Sequence, residues 1–147
     1  MKKLLFTIIA LTFSVSLFAA DKKLDEYIAD LNSAKDTKVI TTAAEWLGKG
    51  KEEKAIPALL NLLNDEREEV RLSAVIALGN IGKEEGVDGI NARLVGDESS
   101  TVRYAAALAT VRIASPKSID AWKEARDKET DPFIRDFLTK MKEKVEK

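Results

Sequence analysis

The chain has 147 residues, 33% of them charged and 45% hydrophobic, with 3 prolines and a formal net charge of −1. That length bounds it to one ordinary domain, and the composition is that of a helical, soluble, folded protein rather than a disordered one. There is no Cys and no His, which excludes disulfides, thiolate nucleophiles and thiolate metal sites and removes the commonest general base and transition-metal ligand.

Residues 1–20 read MKKLLFTIIALTFSVSLFAA. Lys2 and Lys3 are followed by an uncharged run, Leu4–Phe18, and then by the small residues Ala19 and Ala20. This is the pattern of a secretory signal peptide, with cleavage expected after Ala19 or Ala20. An uncleaved anchor is the alternative, but the run is shorter than the ~20 apolar residues that span a bilayer comfortably. The expectation is a signal peptide over 1–20, one domain over 21–147, and export to the periplasm or beyond in a bacterium. The chain would then meet a membrane only through the signal peptide, before cleavage. Losing that segment removes two lysines and no acid, which moves the net charge to −3. A binder of phosphate backbones should carry a basic face, so no nucleic-acid partner is expected.

Asp21–Ser33 carries Leu24, Tyr27, Ile28 and Leu31 at helical spacing, the first helix. Asp36–Lys49 is the second, with Val39, Ala43, Trp46 and Leu47 inward and Gly48 and Gly50 as stops. Lys51–Asn64 is the third; Pro57 must lie in its first turn or bend it. Asp65–Gly82 is the fourth, with Val70, Ala74, Ala77, Leu78 and Ile81 on one side. Asp65 is expected at its N-cap with Glu68 as a capping-box partner, and Gly79 and Gly82 at its close. Glu84–Leu94 is the fifth, weakened by Gly86 and Gly89 at up to ~1 kcal/mol each. Asp97–Ala114 is the sixth. Ser115-Pro116 and Asp131-Pro132 each read as a cap followed by a first helical proline, opening the seventh and eighth.

These helices repeat. Asp65, Val70, Arg71, Ala74, Ala77 and Ile81 recur 32 residues on as Asp97, Val102, Arg103, Ala106, Ala109 and Ile113. Val39, Ala43, Leu47 and Gly48 precede Val70, Ala74, Leu78 and Gly79 by 31. The intervening helices keep the same period, Ile56 to Val87 to Ile119. Two helices per unit of about thirty residues indicate a solenoid of stacked helix pairs. The expected class is all-α, an α-α superhelix of about four pairs.

The run D-x-x-x-x-V-R-x-x-A-x-x-A-L-G-x-I, clearest at Asp65–Ile81, resembles the HEAT repeat in its short bacterial, PBS-lyase-like variety. The first unit departs, with Ile40 where Arg is expected. In the next-to-last unit Thr110 and Val111 replace Leu and Gly. The resemblance implies a right-handed superhelix with second helices on the concave side. It also implies a structural ladder between repeats from Asp65, Asp97, Arg71, Arg103 and Arg135. A planar guanidinium suits that bridging. The functional alternative is an Arg row that binds an anion.

Between the core positions of the second helices lie Thr41, Glu45 and Lys49, then Leu72, Ile76 and Asn80, then Tyr104, Leu108 and Arg112. If exposed, Leu72, Ile76, Tyr104 and Leu108 make an apolar patch rimmed by Glu45, Lys49, Asn80 and Arg112. Such patches mark interaction sites, with an aromatic as a typical anchor. The competing reading buries the row between repeats. Tyr104 is expected to reach solvent first, because its hydroxyl wants a partner. Trp46 and Trp122 are expected in the core.

The acids Asp65, Glu66, Glu68 and Glu69 lack the alternating pattern of a calcium loop and read as helix-start charges. DKETD at 127–131 alternates but lacks the glycine and downstream glutamate. Gly48–Lys51 fails the spacing of a phosphate loop. The expectation is a non-enzymatic scaffold, without cofactor or metal, that binds a protein or peptide through its concave helix row. The alternative is a bilin-lyase-like or other HEAT-like enzyme. Tyr27, Phe133 and Phe137 are candidates for an edge that dimerises, since end repeats expose apolar surface unless capped.

Overall fold

The computed structural model describes residues 23–145. The expected signal peptide, with its cleavage after Ala19 or Ala20, lies outside that range. The helices are α1 (23–30), α2 (Thr37–Gly50), α3 (Ile56–Leu62), α4 (Glu68–Ile81), α5 (Val87–Gly96), α6 (Ser100–Ile113), α7 (Ser118–Lys128) and α8 (Pro132–Val145). Short 3-10 turns, Glu53–Ala55 and Glu84–Gly86, precede α3 and α5. No strand occurs among the described residues.

Asp36 opens α2 by accepting a hydrogen bond from the Lys38 backbone N–H at 2.8 Å. Asp131 does the same for α8, accepting from the backbone N–H groups of Phe133 and Ile134, with Pro132 as the first helical residue. Pro57 sits in the first turn of α3, where its missing N–H costs nothing. Elsewhere the starts shift. Arg67, not Asp65, precedes α4, and no side chain caps that helix. Asp65 turns its carboxylate to the Arg67 backbone N–H instead, and Glu68 accepts from the Ser99 hydroxyl of the next unit at 2.7 Å. Ser115-Pro116 forms a turn ahead of α7, which begins at Ser118. There the Ser115 hydroxyl accepts from the Lys117 backbone N–H.

The second helices stack: α2 packs on α4 and α4 on α6. Glycine sets how closely. A Cβ on Gly48 would lie 2.7 Å from the Ala77 Cα, and one on Gly79 would lie 2.6 Å from the Ala109 Cβ. Both glycines are inside their helices rather than at the ends. Of the expected stops only Gly82 (φ 76) is one; α2 and α6 close instead at Lys51 (φ 55) and Ala114 (φ 56), also left-handed. Gly89 has a similar use in the other layer, where a Cβ would meet Leu60 and Leu63.

Ile40, Ala43, Ala44 and Leu47 of α2 are buried against Val70, Ala74, Val75, Ala77 and Leu78 of α4, and Val102, Ala106 and Ala107 of α6 continue the core. Val39 is 38% exposed and is not an inward position; Ile40 takes that place. It stands one unit before Arg71, so an aliphatic side chain fills the slot that an arginine fills later. Trp122 is buried, and its Nε1 donates to the Thr110 hydroxyl at 2.8 Å. The threonine that departs from the repeat thus serves the tryptophan. Trp46 is half-buried and stacks on Tyr27 at 4.5 Å between centroids.

The α6–α8 junction differs from the two before it. Val111 stands where Gly48 and Gly79 stood, and aromatic rings fill the space. Tyr104 meets Phe133 and Phe137 edge-on at 5.3 and 5.6 Å. Ile134 and Leu138 face inward, while Phe133 is 65% exposed and does not. No helix among the described residues is long and apolar enough to cross a membrane.

Candidate functional site

Two sets of side chains recur along the stack, one at the loops and one on the outer face of the second helices. At the loops, Arg71 donates to both carboxylate oxygens of Asp97 at 3.0 and 3.1 Å and to the carbonyls of Asp65 and Glu66. Arg103 repeats the arrangement one unit on. It donates to both oxygens of Glu129 at 2.8 and 2.7 Å and to the carbonyls of Asp97 and Glu98. Each arginine therefore closes its own loop and reaches the next. Asp97 is tied further by the Ser99 backbone N–H and by Arg93 at 3.5 Å.

The expected ladder is corrected at both ends. No arginine reaches Asp65 from the first unit, because Ile40 occupies the position. Arg67, from the same loop as Asp65, pairs with it at 2.8 Å and donates onward to the carbonyls of Ser33 and Lys35. At the other end Arg103 is received by Glu129, which the expected ladder did not include. Arg135 donates to the carbonyl of Glu129 and to no carboxylate among the described residues. The signal for Glu129 was present, since it follows Asp97 by the repeat distance of 32. Arg67 had no such signal, because its equivalents are Ser99 and Asp131.

These pairs set the local electrostatics. The Arg67 guanidinium holds the Asp65 carboxyl well below the usual carboxylate range. Hydrogen bonds from Arg103 lower the Glu129 carboxyl, and the backbone N–H groups of Asp131 and Thr130 add to it. The donors of Arg71 and Arg103 are directed at protein carboxylates and carbonyls, which supports the interlocking role over an anion-binding row.

On the outer face, Ile76 is 47% and Leu108 44% exposed. They are equivalent residues of adjacent helices, held side by side by the Gly79–Ala109 approach beside them. Leu72 and Tyr104, one turn back, are half-buried. Tyr104 is not the member most open to solvent; Phe133 and Phe137 of α8 lean on its ring. Between α2 and α4 runs a groove of about 430 Å³ whose floor and walls include Thr41, Glu45, Leu72, Ser73 and Ile76. Lys49 pairs with Glu45 across one turn of α2 and lowers its carboxyl. Asn80 accepts from Arg112 across the α4–α6 seam. The structure thus brings Glu45, Lys49, Leu72, Ile76 and Asn80 to one groove and sets Leu108 and Arg112 on the helix beside it. Tyr104 belongs as much to the α8 junction as to this face.

A second-helix layer stacked on Gly–Ala contacts and tied at its loops by arginine–carboxylate pairs defines the class: an α-α superhelix built of helix-pair repeats. The family model for HEAT repeats matches residues 24–94. Those residues are HEAT repeats, and the helices that follow continue the same plan. No curated protein matches the chain. HEAT repeats suggest a protein-interaction scaffold.

Proposed function

We propose that the chain is an exported, non-enzymatic HEAT-repeat scaffold that binds a protein or peptide segment along the concave row formed by the exposed face of α2, α4 and α6. The observation that carries the reading is the adjacency of Ile76 and Leu108. Two large aliphatic side chains, each near half exposed, sit on neighbouring helices beside an open groove. Burying them under a partner would stabilise a complex by about 1 kcal/mol or more each, at about 25 cal/mol per Å² of apolar area removed from water. The absence of Cys and His from the whole sequence supports a binding rather than a catalytic role. Export is supported by the N-terminal pattern of residues 1–20.

The test is recovery of partners from the native source by wild type and by Ile76→Lys plus Leu108→Lys. Both positions are exposed, so the variant should keep its fold, with an unchanged thermal midpoint as the control. Selective loss of partners is expected. An identical set of partners removes this face from the function. N-terminal sequencing of the native protein tests export, with Ala20 or Asp21 as the expected first residue and Met1 as the contrary result.

A further inference from the structure

The groove between α2 and α4 does not end at Asn80. It opens into a second hollow of about 620 Å³ lined by Gly48, Lys49, Lys51, Gly79, Gly82 and Arg112, and the two share Lys49 and Asn80. The continuous track changes character along its length. Glu69 and Glu45 border the apolar half; Lys49, Lys51 and Arg112 gather at the far half. Lys49 is answered by Glu45. Lys51 and Arg112 are exposed and have no carboxylate within 4.0 Å among the described residues. Most other cations of the described surface sit in an ion pair, so these two leave an unbalanced positive end next to an apolar one.

Resting on the reading that this face binds a peptide segment, we infer that its occupant carries a bulky apolar side chain for Leu72 and Ile76, and an Asp or Glu side chain for Lys51 and Arg112. Asn80, which accepts from Arg112, marks the positive end on α4, and its spacing from Ile76 sets the pattern. Ile76 and Asn80 are four residues apart on α4, which is about 6 Å along the axis. Two residues of an extended peptide span about 6.6 Å. The acid therefore follows or precedes the apolar anchor by about two positions in an extended segment. Gly82, where an added Cβ would meet nothing nearer than the Asn80 carbonyl at 3.9 Å, leaves room at this end of the track for a peptide backbone. A competing use of Lys49 and Arg112 is to complement the negative ends of α2 and α6. That use requires no acid in a partner, and the experiment separates the two.

A random dodecapeptide library displayed on phage is selected against the full chain, and enriched clones are then measured on Ile76→Lys and on Lys51→Glu plus Arg112→Glu. All three positions are exposed, and matching melting curves establish that the variants fold. Clones pairing a large apolar residue with Asp or Glu two positions away are expected. The double charge reversal should weaken them about tenfold, the sum of several exposed charge contacts, and should select Lys- or Arg-bearing clones in their place. Clones lost on Ile76→Lys yet unaffected by the reversal overturn the acidic-partner inference and leave the apolar groove as the site. Clones indifferent to both variants, or no enrichment at all, overturn the groove reading together with it.

Discussion

Asp97 has a side chain with no exposed surface, and Arg71, 5% exposed, is the guanidinium that neutralises it. Removing one member of such a buried pair costs up to about 3–5 kcal/mol, with Arg93 at 3.5 Å left as the one cation beside Asp97 among the described residues. Arg71→Ala should therefore lower the unfolding free energy by about that much in urea titration. Glu45→Ala, which breaks an exposed, solvent-screened pair, should leave it unchanged within the error of the titration. Glu129 makes a pH prediction. Its folded carboxyl lies below its ordinary value because Arg103 and two backbone N–H groups favour the charged form. The unfolded state then binds the proton more readily, so stability rises with pH through this group. Its contribution is complete above the unfolded value of about 4.3 and is lost as pH falls through the lower folded value. Glu129→Gln should lower the midpoint at pH 7 while flattening the loss of stability as pH falls below the unfolded value. At this scale the sequence was half legible. Arg71, Asp97 and Arg103 recur at the period, and Glu129, 32 residues after Asp97, would have followed had the period been carried into the last unit. Arg67 could not follow, because it compensates for a non-repeating residue, Ile40, through the fold of a loop.

Helix positions were readable from apolar spacing, but helix ends were not, and the cause is local. Asp131-Pro132 begins a helix while Ser115-Pro116 only precedes one, because the Ser115 hydroxyl is engaged by Lys117 and by Glu84 across the stack. Gly48 and Gly79 were read as ends because glycine disfavours helices, whereas close approach of the next helix requires them. Gly79→Ala gains about 1 kcal/mol in helix propensity, but its Cβ would lie 2.6 Å from that of Ala109. Overpacking of this kind costs about 1–3 kcal/mol, so the net change should be destabilising, and adding Ala109→Gly should recover part of it. The reverse holds at Ala114, which ends α6 in the left-handed region at φ 56. A β-carbon there costs about 1 kcal/mol. Ala114→Gly should raise the stability measured in urea by about 0.5 kcal/mol or more, the relief being offset in part by the freer unfolded chain.

At the scale of the molecule the period of 31–32 residues was enough to place the eight helices of the described residues in four pairs, because each unit buries its apolar side only against its neighbours. What the period could not rank was exposure along the outer row. Leu72, Ile76, Tyr104 and Leu108 are equivalent by spacing, and the tertiary course of α8 decides that Tyr104 is covered. The same course makes α8 a separable element. Gly–Ala contacts join α2 to α4 and α4 to α6, while α8 meets α6 through the rings of Tyr104, Phe133 and Phe137 and is otherwise carried by α7. In a stack with nearest-neighbour coupling, weakening one junction should open the units beyond it and leave the rest closed. Tyr104→Ala removes two edge-on ring contacts and part of a half-buried side chain, a loss of about 2 kcal/mol. Amide hydrogen exchange should then show protection in α8 falling by about 30-fold, while the protection of α4 amides stays near wild type. Equal losses in α4 and α8 would mean that the stack opens only as a whole, and the α6–α8 junction would not be the seam that the ring packing describes.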